Sequence, residues 1–285
     1  MKLVKDFTEY EILDMANGKK LERWNDYVLV RPDPQIIWDN KSTNLWGSAH
    51  AEYNRSNTGG GAWDIKKRLP DSWIINYKDL KFNLKLMGFK HTGLFPEQAY
   101  NWNLIREKIK ECSKEVKVLN LFAYTGGASI AALSAGASVV HVDSSRGMID
   151  WAKENVKING FEDRPIRFLV DDVRKFVRRE IRRGNKYDII IMDPPSFGRG
   201  SKNEVWSIES DLASLIKETS ELLSEQPLLF IINSYTTGLS KTVLENLLYL
   251  NIKQDGIISS DELGLSMKDS NIVLPCGIYA RWESK

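Results

Sequence analysis

The sequence predicts an α/β fold in which a mainly parallel sheet follows a small β-rich domain. From residue 116 onward, short apolar runs alternate with helix-like segments, which is typical of a sheet covered by helices on both faces. A glycine turn, Thr125-Gly126-Gly127, follows the first of these runs. Before residue 93 the chain differs in composition, with strand patterns, prolines and five of its nine tryptophans. We therefore expect two domains, at residues 1–92 and 93–285.

The composition fits a globular protein and excludes few classes of function. The 285 residues are 42% hydrophobic and 27% charged, which suits one large or two modest domains. Lys and Arg number 40 against 38 Asp and Glu, so total charge gives no argument for nucleic-acid binding. No apolar run reaches membrane-spanning length, and the first residues lack the hydrophobic core of a signal peptide. We expect a cytoplasmic protein with reduced thiols.

The cysteines and histidines do not form a metal-binding pattern. Cys112 and Cys276 are far apart and form no C-x-x-C pair. The histidines, His50, His91 and His141, also lack the spacing of metal ligands. We therefore expect neither a disulfide scaffold nor a metal site.

The first part of the chain reads mainly as strands. Residues 1–20 suggest a short helix that ends at Asn17-Gly18, and residues 21–93 a β-rich region. Alternating apolar and polar residues predict a hairpin of strands at 73–77 and 80–86. The glycine-rich run at 54–61 predicts a flexible loop.

The second part alternates strands and helices. The predicted strands are 116–122, 138–142, 166–170, 187–192, 228–232, 252–259 and 271–282. The predicted helices are 99–112, 128–135, 148–159, 173–183, 205–223 and 241–250. Turn and acidic residues follow several strands, at 125–127, 143, 171–172 and 193–195. Ligands in such sheets bind beyond the carboxyl ends of the strands, so we expect the site there.

The stretch from Val116 to Asp143 has the order strand, glycine turn, helix, strand, acid. This order suits an adenosine, because backbone approaches the ligand at the turn and the carboxylate of Asp143 accepts hydrogen bonds from ribose hydroxyls. A dinucleotide would require G-x-G-x-x-G, and the turn Thr125-Gly126-Gly127-Ala128-Ser129 has no glycine at the third position of that motif. S-adenosylmethionine has no pyrophosphate and tolerates the looser pattern. The alternative is a plain βαβ unit whose glycines only permit the turn.

The order of these motifs resembles that of the class I S-adenosylmethionine-dependent methyltransferases. Among these, the chain more closely resembles the bacterial large-subunit ribosomal-RNA methyltransferases that carry a small β domain before the catalytic domain. The resemblance covers roughly residue 92 to residue 285 and, more weakly, the part before it. It implies a Rossmann-like sheet, S-adenosyl-L-methionine as cofactor, and RNA, in particular ribosomal RNA, as substrate.

The same resemblance assigns residues to the cofactor. The turn would wrap the methionine part, Asp143 would bind the ribose, and Asp172 would accept from the adenine amino group. The segment Thr92–Gln98 would fold over the cofactor. The implied cofactor-binding set is Phe122, Ala123, Tyr124, Thr125, Gly126, Gly127, Asp143, Ser144, Asp172, Val173 and Asp193.

The loop Asp193-Pro-Pro-Ser-Phe197 would hold the methyl acceptor. A sulfonium methyl is already activated, so the protein mainly has to align the nucleophile with it. Asp193 and the Pro194 carbonyl would orient an amino or ring nitrogen, and Phe197 would stack on a base. These three are the predicted catalytic residues. The predicted substrate contacts are Pro195, Ser196, Arg199 and Lys202, with Arg68 a further candidate for phosphate.

The absence of a cysteine from two loops bears on the acceptor atom. Relatives that methylate C5 of a pyrimidine need a thiolate in the loop after the fourth or fifth strand. Those loops here, residues 193–199 and 233–238, contain no cysteine. The prediction is therefore methylation of a nitrogen. The basic run at 174–186 is interpreted as the solvated face of a helix.

Three other functions stay open on the sequence alone. They are a methyltransferase for a protein side chain or small molecule, a non-catalytic module that binds S-adenosylmethionine, and a nicotinamide oxidoreductase. The combination of Asp143, Asp172 and Asp193 argues against the module, because binding alone does not require the acceptor loop. The form of the glycine turn argues against the oxidoreductase.

Overall fold

A computed structural model of the protein describes residues 1–56, 60–199 and 205–285. At Arg199 it describes the backbone and not the side chain. The chain divides into two compact units. Residues 2–99 and 264–276 form the first, which we call the N-terminal unit, and Met1 with residues 100–263 and 277–285 forms the second, the sheet unit. The predicted domain boundary between residues 92 and 93 stays a prediction.

The early strands are β1 (Lys2–Leu3), β2 (Tyr10–Ala16), β3 (Lys19–Trp24), β4 (Tyr27–Pro32), β5 (Ala51–Arg55), β6 (Gly61–Ile65), β7 (Trp73–Tyr77) and β8 (Leu80–Leu84). Strands β2 to β6 form a five-stranded sheet in sequence order, and β7 pairs with β8. Short 3-10 helices span Leu45–Ser48 and Pro96–Gln98. The predicted β-rich region and its hairpin are therefore present.

The predicted helix at residues 1–20 is wrong. These residues form β1, β2 and the first two residues of β3, and β2 is joined to β3 at Asn17 and Gly18, whose φ angles are 52° and 73°. Two successive residues with positive φ make the tight turn that suits a β-hairpin. Tyr10 and Ile12 are buried on alternate positions of β2, as a strand with one buried face requires.

The loop predicted at 54–61 is shorter than expected. Asn54 and Arg55 belong to β5 and Gly61 belongs to β6, and the two strands pair antiparallel. Residues 57–59 lie outside the described part of the chain.

The second half contains helices α1 (Ala99–Glu111), α2 (Gly127–Ser134), α3 (Arg146–Ile158), α4 (Val173–Arg183), α5 (Ile208–Ser220) and α6 (Lys241–Asn251). Its strands are β9 (Lys117–Leu121), β10 (Ser138–Asp143), β11 (Ile166–Val170), β12 (Ile189–Met192), β13 (Phe197–Arg199), β14 (Val205–Ser207), β15 (Leu229–Ser234), β16 (Gly256–Ser266) and β17 (Val273–Ser284). The predicted alternation is confirmed apart from residues 205–207. These form a strand paired with β13, and α5 begins only at Ile208.

The large sheet has eight strands in the order β1-β16-β17-β15-β12-β9-β10-β11. The four pairings from β15 to β11 are parallel, and β15 pairs with β17 antiparallel. All four residues of β12 are buried, because helices cover both faces of the central strands. The core packs β12 and β15 against α4, α5 and α6, with Phe176, Leu215 and Leu248 among its members.

No helix in the described residues is long and apolar enough to span a bilayer.

Candidate active site

The carboxyl ends of five neighbouring strands form the edge where the predicted site residues meet. Leu121 of β9 is in register with Met192 of β12 and with Val142 of β10. The parallel arrangement therefore brings the residues after each strand to one side of the sheet. Phe122, Asp143 and Asp193 lie there, as the sequence predicts.

The turn after β9 has a strained backbone. Phe122 and Tyr124 have φ angles of 56° and 51°, a left-handed conformation that aromatic side chains rarely adopt. The Ala123 N–H donates to Val142 O at 3.0 Å, and the Asn155 amide donates to Thr125 O at 2.9 Å. These contacts hold the turn in place. Strain maintained by its surroundings is common where a backbone must approach a ligand.

Asp143 is tied to this turn. Its Oδ2 accepts from the Tyr124 N–H at 2.9 Å and its Oδ1 from the Ser145 N–H at 2.8 Å. Burial raises the pKa of Asp143, although both backbone N–H groups favour its charged form. Each oxygen retains a lone pair, so the oriented carboxylate can still accept from a pair of hydroxyls. Ser144, beside it, is exposed.

The two glycines of the turn leave no room for a side chain. Gly126 has φ 91° at the N-cap of α2, and a Cβ there would lie 3.3 Å from the Ala152 Cβ. A Cβ at Gly127 would lie 2.9 Å from Cζ2 of Trp102. The glycines therefore serve packing as well as the turn.

A buried polar chain lies beneath the turn and was not predicted. The Asn120 amide donates to Ser129 Oγ at 2.9 Å, and Ser129 Oγ lies 2.9 Å from Nδ1 of His141. Burial lowers the pKa of His141 to about 3, so the imidazole is neutral at pH 7. These side chains support the turn from below. The three residues stand on β9, α2 and β10, with 9 and 12 positions between successive members, and the folding of this βαβ unit brings them together.

The two aspartates after β11 have different partners. Asp172 is the N-cap of α4, where its Oδ1 accepts from the Lys175 N–H at 3.0 Å. Asp171 forms an ion pair with Arg179, and its N–H donates to Asp143 O at 3.0 Å. Val173 is buried in the core at the start of α4. Asp172 thus has one oxygen occupied by the helix and one available for a ligand.

The loop after β12 is fixed by neighbours that the sequence analysis missed. Pro194 is buried, whereas Pro195, Ser196 and Phe197 are exposed, Phe197 by 57%. The indole Nε1–H of Trp206 donates to Pro195 O at 2.6 Å. Ser196 Oγ lies 2.7 Å from Thr236 Oγ1.

A further pair of buried amides stands at the same edge. The Asn101 side chain of α1 donates to Asn233 Oδ1 of β15 at 2.9 Å. Both residues are 2% exposed. Asn233 follows Ile232, which is in register with Met192, so it neighbours Asp193 across the sheet. No motif in the sequence identifies this pair, because the partners are 132 residues apart.

For several of the predicted residues, the structure shows no contact at this site. The side chain of Arg199 and all of Lys202 lie outside the described residues. Arg68 is exposed in the N-terminal unit. Thr92–Gln98 belongs to the same unit, where Thr92 is buried, and its predicted place over the cofactor stays a prediction.

The basic residues of α4 mostly pair with carboxylates. The ion pairs are Arg174 with Asp211, Arg178 with Glu218, Arg179 with Asp171 and Arg183 with Glu180. This pairing agrees with the interpretation of α4 as a structural helix face. Among the described residues no group of histidines, cysteines and carboxylates could hold a metal ion.

The site residues fit S-adenosylmethionine. The strained turn presents backbone, Asp143 offers an oriented carboxylate to a ribose, and Asp172 offers an acceptor to an adenine amino group. The turn provides no third glycine for a pyrophosphate at the start of α2.

Comparison with known proteins identifies the family and several relatives. A family model described as S-adenosylmethionine-dependent methyltransferase matches residues 55–247. Ribosomal RNA large subunit methyltransferase K/L of Shewanella baltica (strain OS155 / ATCC BAA-1091) is 34% identical over 189 residues, 66% of this chain and 25% of that protein. Ribosomal RNA large subunit methyltransferase K of Neisseria meningitidis serogroup B (strain ATCC BAA-335 / MC58) is 32% identical over 166 residues, 58% and 46% of the two chains. The chain thus matches only a quarter to a half of these relatives.

Solved structures show the same fold. The SAM-dependent methyltransferase from Agrobacterium tumefaciens superposes with a TM-score of 0.95 at 35% identity, covering 99% of this chain and 93% of that one. SMU.776, a putative methyltransferase complexed with SAH, has a TM-score of 0.74 at 22% identity, covering 98% and 76%. The predicted α/β Rossmann-like fold, cofactor and enzyme class are therefore confirmed. The chain belongs to the S-adenosylmethionine-dependent methyltransferases.

Proposed function

We propose that this enzyme methylates a base nitrogen of RNA, with ribosomal RNA as the substrate class. The observation that carries the proposal is the loop at Asp193–Phe197, which is fixed at its centre and ends in an exposed aromatic residue. The names of the relatives, which concern ribosomal RNA, support the substrate class. An enzyme with this substrate acts in the cytoplasm, where ribosomes are assembled.

The cofactor would be held by the turn and the two acids beyond it. Asp143 accepts from the ribose hydroxyls, and the second oxygen of Asp172 accepts from the adenine amino group. The backbone of Phe122 to Gly127 lies against the methionine part, with Ser144 and Val173 beside the nucleoside. When bound, S-adenosylmethionine supplies a methyl group activated by its sulfonium charge.

The acceptor loop would orient a flipped base. Phe197, which is 57% exposed, offers a stacking face worth about 1–3 kcal/mol. The Asp193 carboxylate and the Pro194 carbonyl accept from an N–H of the base, which directs the nitrogen lone pair away from them. The two prolines limit rotation of the loop because each ring fixes φ. Alignment of this kind accounts for about 7–11 kcal/mol of barrier in well-oriented reactions.

A nitrogen acceptor is favoured because the sheet unit offers no thiol beside this loop. Cys112 follows α1 and lines a cavity with Leu228 and Gln254, next to the amino end of β15. Cys276 belongs to the N-terminal unit, and burial raises its pKa well above the usual value of a thiol. Methylation at C5 of a pyrimidine requires a thiolate that adds to the ring.

The decisive test is a comparison of ribosomal-RNA nucleosides from cells with and without the gene, by mass spectrometry. The proposal expects one methylated base to disappear in the deletion strain and to return when purified enzyme and S-adenosylmethionine are added to its RNA. An unchanged nucleoside profile, with methyl transfer to a protein or small molecule instead, would refute RNA as the substrate. Loss of a C5-methylpyrimidine would refute the nitrogen acceptor.

A further inference from the structure

We propose that Trp206 is a positioning residue that couples the cofactor turn to the acceptor loop. The inference rests on the proposed role of Asp193–Phe197 in holding the acceptor. Nothing in the sequence motifs marks this tryptophan, which stands 80 residues beyond Gly126 on the short strand β14. Its contacts reach both parts of the site.

On the acceptor side, the contact is a hydrogen bond. Trp206 is 8% exposed, and its Nε1–H donates to Pro195 O at 2.6 Å. Neither Pro194 nor Pro195 has a backbone N–H, so their carbonyls are the main-chain polar groups of this segment. The indole therefore fixes the plane of the peptide between Pro195 and Ser196. Loss of this bond would remove the restraint on ψ of Pro195 that the carbonyl of Pro195 itself provides, and the contacts of Ser196 would remain.

On the cofactor side, the contact is between rings. The rings of Trp206 and Phe122 have centroids 5.6 Å apart and an interplanar angle of 49°. Phe122 is one of the two aromatic residues held at positive φ in the turn. A buried aromatic neighbour helps to maintain such a conformation, because release of the strain would break the ring contact. One side chain thus supports the backbone on both sides of the transferred methyl group.

The indole is itself held from a third direction. The Arg174 guanidinium lies 5.9 Å from the centroid of the Trp206 ring and forms an ion pair with Asp211 at 3.0 Å. Asp211 also accepts from the Ser207 N–H at 2.9 Å, next to the tryptophan in sequence. Helices α4 and α5 therefore fix the orientation of β14, which in turn fixes the indole.

Two substitutions separate positioning from general stability. Trp206→Phe retains an aromatic ring against Phe122 and removes the N–H that holds Pro195. Trp282→Phe is the matched control: Trp282 is 2% exposed in the same unit, and its Nε1–H also donates to a backbone carbonyl, that of Gln254, at 3.2 Å. Both variants lose one buried N–H···O=C bond, and only the first loses it at the site.

The first measurement is hydrogen exchange of the peptide that covers residues 193–199, with and without S-adenosylmethionine. The wild type and Trp282→Phe should gain protection at Ser196 to Gly198 when the cofactor binds, and Trp206→Phe should not. Equal cofactor-dependent protection in all three proteins would overturn the coupling. This readout requires no methyl acceptor, so it decides the role of Trp206 even if the RNA proposal fails.

The second measurement is methyl transfer to RNA from cells that lack the gene. Trp206→Phe should lower kcat about tenfold, because a tenfold change in rate corresponds to the free energy of about one hydrogen bond. The Kd for S-adenosylmethionine should change by less than about twofold. Trp282→Phe should leave both unchanged. A proportional loss of kcat in both variants would show that Trp206 acts through stability alone. If Trp206→Phe does not fold, the wild-type indole N–H resonance of Trp206 must shift on cofactor titration, and a resonance that stays in place would refute the coupling.

Discussion

At the residue scale, Asp143 is tied into the fold and is also the residue that we propose binds the ribose. Its two oxygens accept from the N–H groups of Tyr124 and Ser145. The proposal assigns the ribose hydroxyls to the remaining lone pairs of the same oxygens. Removal of the carboxylate therefore has two consequences. It frees the Tyr124 N–H and loosens the turn, and it removes the acceptor for the hydroxyls.

We expect Asp143→Ala to weaken S-adenosylmethionine binding by about 10- to 100-fold, since hydrogen bonds to charged groups contribute about 1.5–3 kcal/mol. Asp143→Asn retains one acceptor oxygen and should lose less. Calorimetric titration measures both, with Asp150→Asn as the control, because Asp150 is an exposed residue of α3 that forms an ion pair with Lys153 of the same helix. Unchanged affinity in Asp143→Ala would mean that the ribose is held elsewhere.

Gly127→Ala is expected to destabilise the sheet unit by about 1–3 kcal/mol, the usual cost of overpacking. The added Cβ would lie 2.9 Å from the ring of Trp102, which must move. Gly147→Ala, in the first turn of α3, is the control, because nearby atoms lie no closer than 3.9 Å and its φ is not positive. Urea unfolding followed by fluorescence compares the two. Equal stability of the two variants would contradict the packing argument.

The sequence reveals residues whose role follows from their place in a local motif. Gly126, Gly127 and Asp143 are predictable in this way, because strand, turn, helix and strand are consecutive. Trp206 and the Asn101–Asn233 pair are not, since their partners come from distant segments. Their positions depend on the order of strands in the sheet, which no local pattern specifies.

At the scale of elements, α4 begins at a residue that we propose also belongs to the site. Asp172 caps the helix through one oxygen, and we assign the other to the adenine amino group. Asp172→Asn should leave the melting temperature unchanged, because Asn caps helices as well as Asp does. It should still weaken cofactor binding, since the amide NH2 would then face the adenine amino group. Thermal melting and calorimetry together check this, and full affinity in Asp172→Asn would remove Asp172 from the site.

Strand and helix predictions succeed where the apolar residues form either an unbroken buried run or one clear face. Strand β12 and helix α4 agree with the sequence prediction because β12 is wholly buried and α4 has one apolar face. The helix predicted at residues 1–20 is wrong because the pair Asn-Gly occurs both at the ends of helices and in hairpin turns. Strand β14 was missed because three residues are too few to show a period. Residues 205–207 form a strand because they pair with β13.

At the scale of the whole molecule, the proposed binding of RNA should depend on salt more than on sequence. Each phosphate contact releases counterions, so log K should fall against log salt with a slope near −0.7 to −0.9 per contact. Arg68→Glu should reduce that slope by about one contact and leave cofactor affinity unchanged. Lys217→Glu, an exposed position on α5, makes the same change in net charge and is the control. Filter binding across a salt series measures the slope for each variant. Equal slopes for the two variants would exclude Arg68 from the RNA-binding surface.

The stability of the sheet unit should fall in mild acid. Burial lowers the pKa of His141 to about 3 from its usual value of 6.5. Below pH 6.5 the unfolded chain therefore binds a proton that the folded protein does not, and the free energy of unfolding falls by about 1.4 kcal/mol per pH unit until the pH approaches 3. Hydrogen exchange of β9 and β10 should show that the free energy of unfolding falls by about 2 kcal/mol between pH 6.5 and pH 5.

This loss should be smaller in His141→Gln, which has no titrating group at that position. An NMR titration of the wild type provides an independent check. A folded-state imidazole that takes up its proton near pH 6.5 would contradict the assignment.

The return of residues 264–276 to the N-terminal unit affects how the chain folds during translation. Within that unit Ile12 of β2 pairs with Met267, and the Lys268 N–H donates to Ile12 O at 2.8 Å. The edge of β2 therefore stays unpaired until residues 267 and 268 have left the ribosome, although most domains fold in the order of their synthesis. An unpaired strand edge of this kind promotes aggregation, and nascent chains stalled before residue 264 should bind chaperones more strongly than the released protein.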